Sequence, residues 1–218
     1  MIELFIAVAI YLVVFGIDYM FYAKQKGFYE YVSRRTYLLF MSGQFLVIYL
    51  FYDQFKPFIE SWSTELTFMS VFAGLLVFFT YQMTHDRVYV CDISSRTMRC
   101  LTPGYVLVKG SEIVFQQLVY LAIALSLTSL FGIDFFTYIV YIGLLLLIHI
   151  IVILGNIKYV AQLLTFGLFA ITAPTLYVFT ELQLFWPAVY IHGIMYIFYW
   201  LMYADFDVQP LKKVKTRL

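Results

Sequence analysis

The sequence predicts an all-α fold: a polytopic transmembrane helical bundle of about seven spans, N-terminus out and C-terminus cytoplasmic. Three observations carry that expectation. The 218-residue chain is 63% hydrophobic and only 12% charged, with a mean hydropathy of +0.87, whereas a soluble domain of this size must wet its exterior. Seven apolar stretches approach the ~20 residues that cross a bilayer. The basic residues gather in alternate loops, as they do on the cytoplasmic side of membrane proteins.

The spans follow in order. Residues 2–22 form a full-length apolar run with no basic leader segment and no small-residue cleavage site, so they read as a span rather than a signal peptide. Residues 36–53 and 66–83 are the second and third. The long 84–111 loop follows, and its "RVYVCDISSRTMRCL" alternates apolar and polar residues around a Ser-Ser turn, as a short amphipathic hairpin would. "TPG" at 102–104 breaks the chain before the fourth span, 112–132. Spans at 135–155, 159–179 and 185–204 complete the set, joined by short loops that suit a compact antiparallel bundle. Pro174 is expected to kink the sixth span, and Pro187 sits in the first turn of the seventh, where a missing N–H costs little.

Charge sets the orientation. Lys24, Lys26, Arg34 and Arg35 share the first loop, Arg87, Arg96, Arg99 and Lys109 the third, and Lys158 the fifth. Lys212, Lys213, Lys215 and Arg217 lie in the tail. The opposite side keeps Lys56 among acids such as Glu60, Glu65, Asp134 and Glu181. Only an odd number of spans fits this pattern. Cys91 and Cys100 then lie in the cytoplasm as reduced thiols. The chain reads as one membrane domain, 1–218: three N-terminal spans (1–83), the hairpin-like loop (84–111), a four-span core (112–205) and a basic tail (206–218). The expected partner is the lipid bilayer of a plasma or inner membrane, and no nucleic acid.

Polar groups are costly in hydrocarbon and mark interior faces or hydrated cavities. Here they are Asp18, Gln44, Glu112, Gln116, Gln117, His149, Asn156, Gln162, His192 and Asp205. Two of the three histidines fall inside spans. Glu112 and Gln116 share a helix face. His149 and Asn156 lie two turns apart on one face, and His192, Tyr196, Tyr199 and Tyr203 form a stripe. Gln44, Gln162 and Asn156 also serve as interhelical glue, the Tyr stripe also as packing, and Asp18 and Asp205 also as solvated ends. A zinc site of the His-Glu-x-x-His type, a serine elbow and paired intramembrane aspartates are all missing from the sequence. A glutamate with two histidines remains.

At "SEIVFQQ", 111–117, the chain resembles the first motif of the CAAX-protease and bacteriocin-processing (CPBP, or ABI) family, Glu-Glu-x-x-x-Arg with Phe before the Arg. Glu112 matches the second Glu and Phe115 the Phe, while Ser111 replaces the first Glu and Gln116 the Arg. "LLLIH", 145–149, is similar to the family's Phe-x-x-x-His, matching at His149. "HGIMY", 192–196, is similar to its His-x-x-x-Asn, matching at His192 with Tyr196 for the Asn. The resemblance spans about 105–205. It implies an intramembrane peptidase acting on a membrane-associated peptide or protein. Glu112 would be general base, His149 would orient water or shuttle a proton, and His192 would stabilise the oxyanion. Gln116, Tyr196 and Asn156 would support them, with no metal and no cofactor.

The alternatives are a non-catalytic relative, a transporter or lipid-binding scaffold, and a bis-His haem b membrane protein using His149 and His192. One geometric demand is sharp. His149 lies ~9 Å and His192 ~20 Å from the inner ends of their spans. Glu112 stands at the inner mouth of span four unless that helix starts near Pro103. A mismatch of ~10 Å must be closed by tilt, a kink or that earlier start.

Overall fold

A computed structural model describes residues 1–23, 34–60, 103–154 and 171–203, with Leu168. Among them the fold is all-helical, with no strand. The helices are α1 (Ile2–Ala23), α2 (Arg34–Leu50), α3 (Tyr52–Glu60), α4 (Pro103–Phe131), α5 (Phe135–Leu154), α6 (Ile171–Thr180) and α7 (Trp186–Tyr203). The expected span 66–83, the hairpin, both cysteines, Asn156, Gln162, Asp205 and the basic tail lie outside the described residues.

Each outer helix buries one stripe. On α1 the buried residues are Ala7, Ile10, Tyr11, Val14 and Asp18, the three- and four-residue spacing of a single helix face. On α2 they are Thr36, Phe40, Gly43 and Val47, and on α5 Thr137, Tyr141, Leu145 and Ile148. The opposite faces are exposed and apolar: Phe5, Leu12 and Val13 on α1, Leu38, Phe45 and Tyr49 on α2, Phe135, Ile139 and Leu147 on α5. α2 does not run straight through residue 53. It ends at Leu50, and α3 leaves at 101° to it, tucking Phe55 and Phe58 under the bundle and turning Tyr52, Asp53, Lys56 and Glu60 outward.

α4 is the hub. It packs against α1, α2, α5 and α7, and from Val108 to Leu127 nearly every residue is buried. A helix apolar on all sides belongs at the centre of a bundle. Gly43 of α2 lets α4 come close: a Cβ there would sit 2.8 Å from the ring of Phe115. α4 starts at Pro103 rather than at 112, with a proline in its first turn as helix starts favour. It ends in a left-handed cap, with Gly132 at φ +81 and its N–H donating to the Thr128 carbonyl at 2.8 Å. Asp134 then caps α5, accepting the Thr137 N–H at 2.7 Å. This exposed carboxylate is held below the usual range chiefly by that backbone hydrogen bond. Pro174 lies in the first described turn of α6, and Pro187 in the first turn of α7, as expected.

Among the described residues one helix, Val108–Phe131, is long and apolar enough by length and composition to cross a membrane, and the bent pair α2–α3 passes the same test together.

Candidate functional site

The charged and amide side chains of α4 fall between Lys109 and Gln117, in a buried stretch. Lys109 and Glu112 are one turn apart, and the Lys109 ammonium donates to Glu112 Oε2 at 2.6 Å. Both side chains are buried, 10% and 4% exposed, so this pair is desolvated rather than a surface ion pair. The Gln116 amide points its Nε2 at Glu112 Oε1 from 3.5 Å, beyond the length of a strong hydrogen bond. Lys109, expected in the cytoplasmic loop, is therefore an interior residue. It supplies the cation on Glu112, where the neutral Gln116 was the expected tether. The signal was present: a Lys–Glu pair at i,i+3 faces itself on a helix, provided the helix begins before 109.

α1 and α2 close this end. Gln44 of α2 donates to the Ser111 carbonyl at 2.8 Å and approaches its hydroxyl at 3.1 Å, which is the glue expected of an interior glutamine. Asp18 of α1 is buried and lies within electrostatic reach of Glu112 and Lys109.

Two turns along α4 the chemistry becomes neutral. His149 of α5 donates from Nδ1 to the Leu145 carbonyl at 2.7 Å. A carbonyl only accepts, so the ring proton is on Nδ1 and Nε2 is an acceptor. Two hydroxyls converge on it, Tyr11 of α1 at 2.8 Å and Tyr120 of α4 at 3.0 Å. Tyr120 also stacks on His192 of α7, planes 8° apart and centroids 6.3 Å. Gln117 Nε2 lies 2.7 Å from His192 Nδ1. Tyr120 and Gln117 thus join the imidazoles of two helices that are far apart in sequence.

The structure brings His149 and His192 onto one residue, Tyr120. Glu112 stands five residues before Gln117, a rise of ~7.5 Å along α4. The start at Pro103 puts Glu112 inside the helix rather than at its mouth. α7 supplies the other adjustment. His192 is only six residues, ~9 Å, from the start of its helix, whereas Gln117 is ~21 Å from the end of α4. The α6–α7 corner dips accordingly, and Phe185 and Ala188 are fully buried. Of the supporting residues, Gln116 is in place, Tyr196 lies on α7 with its side chain outside the description, and Asn156 is outside it altogether. Tyr11, Tyr120, Gln117 and Lys109 complete the site. No group of three or more His, Cys, Asp or Glu among the described residues could hold a metal ion. Axial haem ligation would need the His149 Nε2 lone pair, which Tyr11 and Tyr120 hold.

No protein-family model, curated protein or solved structure matches the chain.

Proposed function

We propose that the chain is a multi-pass membrane protein of about seven spans, N-terminus out, that hydrolyses a peptide bond in a membrane-associated peptide or protein. The membrane part is supported by the composition and by the large exposed apolar side chains on the outer faces of α1, α2 and α5. At 29 residues, α4 is ~43 Å long and exceeds a ~30 Å hydrocarbon core. Its first turns then project toward the cytoplasm and bring the buried Glu112 close to the level of the boundary.

The observation that carries the hydrolytic part is the spacing on α4. A general base and an oxyanion donor cannot touch. Between them must fit a water, the carbonyl carbon it attacks and the carbonyl oxygen, a contour of roughly 10 Å that shortens where it bends. The axial rise of ~7.5 Å from Glu112 to the Gln117–His192 level is of that order, with Gln117 turned ~140° from Glu112 around α4. Glu112 takes a proton from water as its oxygen bonds to the carbonyl carbon, and His192 donates to the oxygen that becomes negative. The C–N bond then breaks as the leaving nitrogen takes the proton back from Glu112. The first step needs the carboxylate to loosen from Lys109. Once Glu112 is protonated, the Lys109 charge no longer has a partner there and favours return of the proton to the amine.

A second reading has its own observation: the Lys109–Glu112 pair is closed at 2.6 Å, and Ser111 stands where the CPBP-like motif has its first Glu. A non-catalytic scaffold would look the same at rest. The test is cleavage of a fluorogenic, C-terminally lipidated peptide library by the full-length protein in vesicles. Turnover is expected in the wild type, with a loss of roughly 10²–10⁴-fold in Glu112→Gln. No cleavage by the wild type, or equal cleavage by both, overturns the peptidase in favour of the scaffold.

A further inference from the structure

We infer that Gln117 is a positioning residue: it fixes His192 in the tautomer with its proton on Nε2. The contact is short, 2.7 Å. Gln117 is fully buried and His192 nearly so, so water does not compete for the imidazole edge. An amide can meet a ring nitrogen in two ways. With Nε2 toward the ring, the amide donates and Nδ1 is a bare acceptor. With the amide turned over, its oxygen accepts a proton from Nδ1. The second arrangement strands a buried NH₂. The first leaves Oε1 and one of the two N–H groups without a partner among the described residues, one N–H fewer than the second. A buried carbonyl oxygen tolerates that better than a buried N–H does. The amide therefore donates, and the proton of the neutral ring is on Nε2.

Tyr120 adds a second restraint. Its ring lies parallel to that of His192 and holds the imidazole in the plane in which Nδ1 meets Gln117. The consequence is a division of labour. His149 has its proton on Nδ1 and presents an accepting Nε2. His192 has the opposite tautomer and presents a donating Nε2. In the hydrolytic reading the donating ring, His192, is the one that can serve the oxyanion, while His149 is held by the two hydroxyls. What the His192 proton does rests on the peptidase reading; where it sits does not.

The experiment is ¹⁵N spectroscopy of histidine-labelled, full-length protein in detergent near pH 8, well above the ordinary histidine pKa of about 6.5. The His192 signals are assigned by their loss in His192→Gln. The wild type is expected to show a pyridine-like, unprotonated Nδ1 and a pyrrole-like Nε2. Gln117→Glu replaces the donor with a carboxylate that only accepts, and is expected to make Nδ1 pyrrole-like. Gln117→Leu removes the contact and should lower kcat several-fold with KM unchanged. A protonated Nδ1 in the wild type, or a bare Nδ1 that persists in Gln117→Glu, overturns the inference. Should Gln117→Glu fail to fold, the wild-type spectrum decides alone. The expected spectrum with no peptide cleavage would uphold the assignment while the hydrolytic reading fell.

Discussion

At one end of the polar core a cation and a carboxylate meet, Lys109 and Glu112. At the other, two imidazoles are held by hydroxyls and an amide. The first contact is local, three residues apart on one helix. The second set is long-range: Tyr11 reaches His149 across 138 positions and Gln117 reaches His192 across 75. The charged end is an energetic hazard that must stay paired, because a lone buried charge is expensive. The neutral end is a geometric device, because each bond there is worth little and the arrangement depends on four helices being in register. Charge is concentrated in one end and directional hydrogen bonding in the other.

That contrast can be broken most directly at Lys109. Lys109→Met leaves a buried carboxylate without its cation and should cost about 3–5 kcal/mol of stability, read as a lowered midpoint in denaturing-detergent titration of the full chain. Adding Glu112→Gln should recover most of the loss, since the uncompensated charge is then gone. If Lys109→Met unfolds no earlier than the wild type, the pair is not desolvated and the distinction between the ends disappears.

The neutral end should respond more gently and cooperatively. Nε2 of His149 has one lone pair and two hydroxyls pointing at it, so either hydroxyl can serve. Tyr11→Phe and Tyr120→Phe should each cost about 0.5 kcal/mol, and the double variant about 1–3 kcal/mol, as the nitrogen is then left without a donor. Simple additivity in the same titration would show that the two hydroxyls do not share the ring.

The smallest effect sharpens the comparison from outside the core. Asp134 and Thr137 have the same i,i+3 spacing as Lys109 and Glu112, but here the carboxylate is exposed and its partner is a backbone N–H. Asp134→Ala should lower the thermal midpoint only slightly. Its folded-state pKa is depressed, so its contribution is complete above the unfolded value and fades as pH falls through the folded one. The wild-type advantage over Asp134→Ala should therefore vanish in acid. Local spacing alone would then be shown to matter little without burial.

Much of this molecule was legible beforehand. α1, α5 and α7 match the runs 2–22, 135–155 and 185–204 because long apolar stretches between polar or turn residues have one economical conformation. The short 132–134 loop was expected, and the structure closes it with Gly132 and Asp134 as caps. Other boundaries were misplaced for a reason. Residues 103–111 looked like loop because Lys109 and Ser111 are polar, yet burial against α1 and α2 lets the helix run through them. Residue 53 looked like the end of one span, but the chain turns after Leu50, where Phe51, Phe55 and Phe58 find the underside of the bundle.

The candidate residues divide the same way. Glu112, His149 and His192 stand out because ionisable groups are rare in such apolar company. Tyr11 and Tyr120 do not stand out at all in a chain with 20 tyrosines; nothing marks which of them turn inward to a histidine. Gln117 is conspicuous as a polar residue, but its partner is 75 positions away.

What the sequence determined by itself is helix content, most helix ends and the short list of residues too polar for their surroundings, since each depends on interactions within a turn or two of backbone. What only the tertiary structure decided is which of those residues meet, which nitrogen of each imidazole faces a donor, and that Lys109 belongs inside. Those outcomes depend on the relative depth and rotation of separate helices, which packing against α4 sets and no local pattern encodes.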